Sequence, residues 1–186
     1  VAALRDVYAG RGQLACLIVS KRDVENRFDA ESAQRLIRDG AAHLIGNPAN
    51  AEVQLIALGA YQLDEAIKAQ QHLAELGKCA CVTVVLEPGR LRIPRDAIEA
   101  EFVDDDVTVS TLFPSGLPRV IVTHTRPEPM LGILRRIDSG PAKTRALGYI
   151  SRGGTFDVPG MLFANRCTWA HVVDAAATVA GWSREV

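Results

Sequence analysis

Hydrophobic positions along this chain alternate between short continuous runs and spaced repeats, which mark buried strands and amphipathic helices respectively. Val53–Gly59 reads VQLIALG, a run apolar enough to be covered on both faces of a sheet. Behind it, Leu63, Ala66, Ile67, Gln70, Leu73 and Ala74 recur at helical spacing up to Leu76, and Gly77 supplies the stop. CACVTVVL over Cys79–Leu86 is a second β-branched, apolar run. A strand, a helix and a strand at this spacing predict a parallel βαβ unit with a right-handed crossover.

The alternation continues downstream. Pro88-Gly89 and Pro94 break the chain before a short helical stretch around Ile98–Phe102. Arg119–His124 is the next predicted strand, followed by a helix from about Pro129 to Ile137, a strand over Ala146–Ile150 and a long helix over Trp169–Trp182. Upstream, Leu14–Ser20 (LACLIVS) has the look of another buried strand, and Asp29 offers an N-cap for a short helix through Ala33, Leu36 and Ile37 that stops at Gly40. Asn47-Pro48-Ala49-Asn50 closes this stretch as a turn. The expected fold is a three-layer α/β/α sandwich around an open, mostly parallel sheet.

Charge and composition narrow the partners. A formal net charge of -1 gives no electrostatic reason to expect nucleic acid or an anionic membrane. No apolar run approaches the roughly 20 residues that cross a bilayer, and no basic-then-apolar leader opens the chain. Cys16, Cys79, Cys81 and Cys167 are scattered through apolar surroundings, which suits reduced thiols and a cytoplasmic setting. The chain opens on Val1 with a buried-looking strand close behind, so the expectation is a polypeptide that begins earlier.

Ligands of open α/β sheets bind beyond the carboxyl ends of the strands, and those loops are thinly equipped. Gly59-Ala60-Tyr61 lacks the further glycines of a dinucleotide fingerprint. Arg152-Gly153-Gly154-Thr155 is the most site-like segment, a candidate anion-binding loop whose bland reading is a turn. His124 ends a strand on that edge, where an acid-base role competes with a backbone hydrogen bond. Cys79 and Cys81 read as core residues of a strand, and Cys167 and His171 share a helical face without further ligands, so no metal site is expected. Asp104-Asp105-Asp106 lacks the glycine and final glutamate of a calcium loop and reads as a solvated turn. Without a convergent acid, base and nucleophile, the chain on its own is expected to be inactive, an accessory to chemistry done elsewhere.

The order of ACLIVSKR, VQLIALGAYQLDEAIKAQQHLAELG and CACVTVVL resembles the C-terminal part of thiamine diphosphate enzymes of the transketolase and phosphoketolase type. ALGYISRGGTFDVPGMLFANRCTWAHVV is similar to the phosphoketolase ending in particular. The resemblance implies a mixed five-stranded, Rossmann-like domain over residues 51–186. It further implies a linker with a short helix over 23–50, and residues 1–22 as the tail of a preceding pyrimidine-binding domain. It implies thiamine diphosphate and Mg2+ held by other domains of the polypeptide, a homodimer, and a ketose phosphate substrate that Lys21 contacts. Arg22, where phosphoketolases have glutamine, and Thr155-Phe156-Asp157-Val158, where they are threonine-rich, depart from that pattern. A divergent relative acting as a xylulose-phosphate epimerase would carry the same domain. The reading from a different class is a non-catalytic anion- or nucleotide-binding module.

Overall fold

The computed structural model describes residues 22–150 and 153–183, with Ala9, Cys16 and Val19 besides. Most of the strand expected over Leu14–Ser20 lies outside the described residues, as do Lys21 and Arg152. Cys16 and Val19, described singly, are exposed and outside regular structure.

The first helix, α1 (Ala30–Asp39), begins where Asp29 accepts hydrogen bonds from Ser32 N and Ser32 Oγ, at 2.7 and 2.6 Å, and ends at Gly40. A strand follows at once, β1 (Ala41–Ile45), inside the stretch expected to be only a linker with a helix. Its sequence, AAHLI, has little β signal of its own; pairing with a buried neighbour is what makes it a strand. The βαβ unit forms as expected: β2 (Val53–Leu58), α2 (Ala60–Glu75) and β3 (Ala80–Val85), with every residue of both strands buried. Next come α3 (Ala97–Ala100), α4 (Asp106–Leu112), β4 (Arg119–Thr123), α5 (Pro127–Ile133) and β5 (Thr144–Leu147). α6 (Val158–Ala164) and α7 (Trp169–Ala180) complete the order.

The sheet is five-stranded in the order β1-β3-β2-β4-β5. β2 pairs in parallel with β3 and β4, β4 pairs in parallel with β5, and only β1 runs antiparallel, on the edge. One face carries α2 and α7, whose Leu63, Ala66, Leu73, Val172 and Ala176 pack on Val53, Leu55, Val82 and Val120. The opposite face carries Val109 and Leu112 of α4 and Met130 of α5 against Ile56, Leu58 and Ile121. This is the three-layer α/β/α sandwich, mixed and mostly parallel. No helix of the described residues is long and apolar enough to cross a membrane.

Polar groups fasten the layers. Glu65 of α2, 6% exposed, accepts a hydrogen bond from Trp169 N at 2.7 Å, so a carboxylate from one helix caps the N-terminus of the other. The aspartate run is solvated only in part: Asp104 is buried and ion-paired with Arg90, whereas Asp105 and Asp106 are exposed, Asp105 accepting from Thr108 N at 2.7 Å to cap α4 and Asp106 meeting Arg136 at 2.6 Å. The run thus starts a helix, and the pairing with Arg90 is what lets Asp104 leave water.

A further polar string crosses the α4 face. His43 Nδ1 lies 2.9 Å from Thr83 Oγ1, Gln54 Nε2 donates to that same oxygen at 2.8 Å, and Arg119 Nε donates to Gln54 Oε1. His43 Nε2 is buried without a hydrogen-bond partner, and burial lowers the pKa of the ring. With the folded value below the unfolded one of about 6.5, the neutral ring contributes stability that is complete above that value. That contribution is lost as pH falls below about 6.5. Thermal melts across this window should show a falling midpoint, and His43→Gln should flatten the slope; equal slopes in the two proteins would remove His43 as its source.

Candidate functional site

The carboxyl ends of β2, β4 and β5 converge on one edge of the sheet, and the loops that leave them hold the polar groups available for chemistry. At β4 the chain turns through His124 and Thr125. His124 N and Nδ1 both donate to Leu58 O, at 3.1 and 3.0 Å, so the imidazole is tied to the end of β2. A carbonyl oxygen only accepts, which puts the ring proton on Nδ1 and leaves Nε2 free of it in the neutral form. The backbone bond weighed against acid-base work at this residue is therefore present.

The β5 loop is fastened to the β4 loop, since Tyr149 N donates to Thr125 O at 2.9 Å. Beyond it, Gly153, Gly154 and Thr155 line an open cleft of about 330 Å³ together with Tyr149, Phe156, Met161 and Asn165. Three of the four residues of the candidate anion loop therefore face one hollow; Arg152 lies outside the described residues. Gly153 and Gly154 have φ of 75° and 87°, successive left-handed conformations that glycine adopts without strain.

The cleft owes its shape to a residue with no motif. Asn165, 6% exposed, accepts from Ile150 N at 2.7 Å and donates to Met161 O at 2.8 Å, pinning the β5 exit to α6. Its place could not be found from spacing, because α6 itself is hidden behind Pro159 and Gly160. Asp157 caps that helix by accepting from Gly160 N at 2.8 Å.

The sulfur groups do not assemble. Cys79 is exposed and Cys81 buried; residues two apart share a face of a strand, so alternation does not account for the difference, which arises because Cys79 lies ahead of β3 and Cys81 within it. Burial pushes the Cys81 and Cys167 thiols up to about 11, so both stay protonated and poorly nucleophilic at neutral pH. Cys167 Sγ lies 3.3 Å from Asn165 O, whereas His171 Nδ1 meets Thr168 Oγ1 at 2.7 Å. Cys167 also precedes α7, so the shared helical face expected for the pair is not formed.

A diphosphate cofactor with its divalent ion requires several hard oxygen ligands around the metal. Among the described residues no group of three or more His, Cys, Asp or Glu is placed to hold a metal ion.

No protein-family model matches the chain, and no curated protein does. Solved structures match its fold. A transketolase variant from Pichia stipitis, in complex with xylulose 5-phosphate, superposes with a TM-score of 0.57 at 17% identity, over 82% of this chain and 19% of that one. The Campylobacter jejuni transketolase gives a TM-score of 0.52 at 13% identity, over 74% of this chain and 18% of that one. A split-gene transketolase in the form of an inactive beta4 tetramer gives 0.55 at 14% identity, over 87% of this chain and 48% of that one. The chain spans about a fifth of the length of the first two, and identities this low speak to fold alone. In its fold, this chain resembles one domain of transketolase.

Proposed function

We propose that the chain is the C-terminal domain of a thiamine diphosphate-dependent enzyme of the transketolase and phosphoketolase type, acting on ketose phosphates in the cytoplasm. The observation that carries this reading is the agreement of two independent signals. The sheet superposes on transketolase domains, and the ISRGGTFDVPGMLFANRCTWAHVV stretch resembles the phosphoketolase ending. In this reading the other domains hold thiamine diphosphate and Mg2+, and this domain supports dimer and active-site geometry. Large apolar side chains exposed on the described surface, Ile98 at 72%, Val107 at 74% and Phe163 at 69%, suit a domain covered by neighbours in a larger assembly.

Lys21 is the one residue assigned to substrate, as a charge-assisted contact to the sugar phosphate. In the full-length protein Lys21→Ala should raise KM for xylulose 5-phosphate by about tenfold, the equivalent of one such contact, with little change in kcat. Unchanged kinetics would remove Lys21 from the site. The enzyme reading itself is tested by the full-length protein with thiamine diphosphate, Mg2+ and xylulose 5-phosphate, given inorganic phosphate or ribose 5-phosphate as acceptor in separate assays or no acceptor at all. Formation of acetyl phosphate marks a phosphoketolase, transfer to an aldose phosphate a transketolase, and ribulose 5-phosphate an epimerase. Absence of all three leaves the binding-module reading, which the open glycine cleft favours.

A further inference from the structure

β2 lies between β3 and β4, and the two crossovers leave in opposite directions. The β2-α2-β3 connection covers one face, where Leu63, Ala66 and Leu73 are packed, and the β4-α5-β5 connection covers the other, where Met130 is packed. Their divergence opens a crevice outside the carboxyl ends of β2 and β4, the place where open α/β sheets receive ligands.

Three residues stand at that crevice. Gly59, the residue between β2 and α2, has φ 116° and ψ 153°, a conformation closed to other residues. A Cβ built there would collide with Gln62 Oε1 and come within 3.2 Å of His124 Nδ1, so the amide and the imidazole flank the same small space. His124 Nδ1 is committed to Leu58 O, which leaves Nε2 to meet a ligand.

Gln62 is the informative group. It is 4% exposed, yet no hydrogen bond joins its side chain to any described residue. A glutamine at the third position of a helix ordinarily folds back onto the cap residue's N–H, but α2 has no side-chain cap bond. Its amide atoms are not among the fully buried unpaired ones, so the polar end of an otherwise buried side chain reaches solvent beside Gly59, where a ligand can meet it. The 16-residue α2 also has no acidic residue in its first turn, and its free N–H groups point a partial positive charge into the same space.

We propose that this switch-point crevice binds a phosphate group, with Gln62, His124 and the first-turn N–H groups of α2 as its hydrogen-bonding partners. The N–H groups and Gln62 Nε2 donate to phosphate oxygens, and His124 Nε2 donates once protonated or accepts from a P–OH. The site is separate from the Gly153-Gly154-Thr155 loop, and it does not depend on the transketolase reading.

The test is an NMR titration of the 186-residue chain with inorganic phosphate and, separately, ribose 5-phosphate at constant ionic strength. Saturable shifts of the Gly59–Leu63 and His124 amides are expected, with a dissociation constant of about 1 mM or tighter for at least one of them. Equal affinities identify free phosphate as sufficient, and tighter binding of the ester identifies a phosphorylated metabolite; both support the site. Gln62→Glu should keep or raise the thermal midpoint, because an acid suits a helix N-terminus, while weakening phosphate about tenfold or more by repulsion. His124→Ala, at an exposed position, should weaken binding without unfolding the chain. The proposal is overturned by no saturable shift up to about 10 mM, a concentration at which even millimolar affinity would show. It is equally overturned by shifts centred on Gly153–Thr155, or by binding that survives both substitutions.

Discussion

Replacing Arg119 with Met should cost the fold about 3–5 kcal/mol, read as a lower urea midpoint at unchanged slope. The side chain is the first residue of β4 and only 2% exposed. Among the described residues, no carboxylate is ion-paired with it. Its guanidinium donates to Ile137 O at 2.5 Å, Ser139 Oγ at 2.8 Å, Pro114 O and Gln54 Oε1. Burial lowers the arginine's pKa, with Asp138 opposing from a distance. Such a charge persists only because so many oxygens converge on its fork, and each would be left dry and unpaired if it were removed. Lys at this position keeps the charge but not the fork, and should still lose about 2 kcal/mol. Because Arg119 joins loops at the amino ends of the strands, phosphate binding at the opposite edge should not change in Arg119→Lys. A Met variant within about 0.5 kcal/mol of the parent would show that these bonds contribute little net stability.

Arg119 also shows how sequence and structure divide the information. Its strand was legible, because RVIVT is a short apolar run, but its burial was not. The partners come from Pro114, Ile137 and Ser139, residues brought together only by the strand order. The same division holds elsewhere. β2, α2 and β3 announce themselves through periodicity, and α1 through Asp29 and Gly40. β1 is silent because its burial is conferred by pairing with β3, α4 because three aspartates suggest water, and α6 because a proline and a glycine suggest a turn. At the cleft, the Gly153-Gly154 pair stands out in the sequence as two adjacent glycines, although the same pair also reads as a plain turn. Gln62 does not stand out, since its meaning depends on the conformation of Gly59 and on which strand lies beside β2.

Gly148→Ala is the second substitution expected to act strongly, and it does so through space rather than dihedral angle. An added Cβ would collide with Thr125 O and come within 2.8 Å of Thr123 Cγ2 and 3.0 Å of Pro127 Cδ. The first obstacle is backbone, which cannot swing aside, and the β4 and β5 loops are already held together by Tyr149 N donating to Thr125 O at 2.9 Å. One methyl group must therefore part the loops, at a cost of about 2–4 kcal/mol from overpacking and the strained hydrogen bond. Gly153→Ala is the contrasting case: nothing lies within 4 Å of its added Cβ, and only the φ of 75° resists, so about 1 kcal/mol is expected. Hydrogen exchange at the Tyr149 amide distinguishes the mechanisms, because parting the loops exposes that amide in Gly148→Ala and leaves it protected in Gly153→Ala. Since Tyr149 lines the cleft and His124 flanks the crevice, the first substitution should disturb both hollows of the carboxyl edge and the second only one. Unaltered stability and protection in Gly148→Ala would mean that the two loops are not held against each other, and the shared edge that unites the candidate sites would be lost with them.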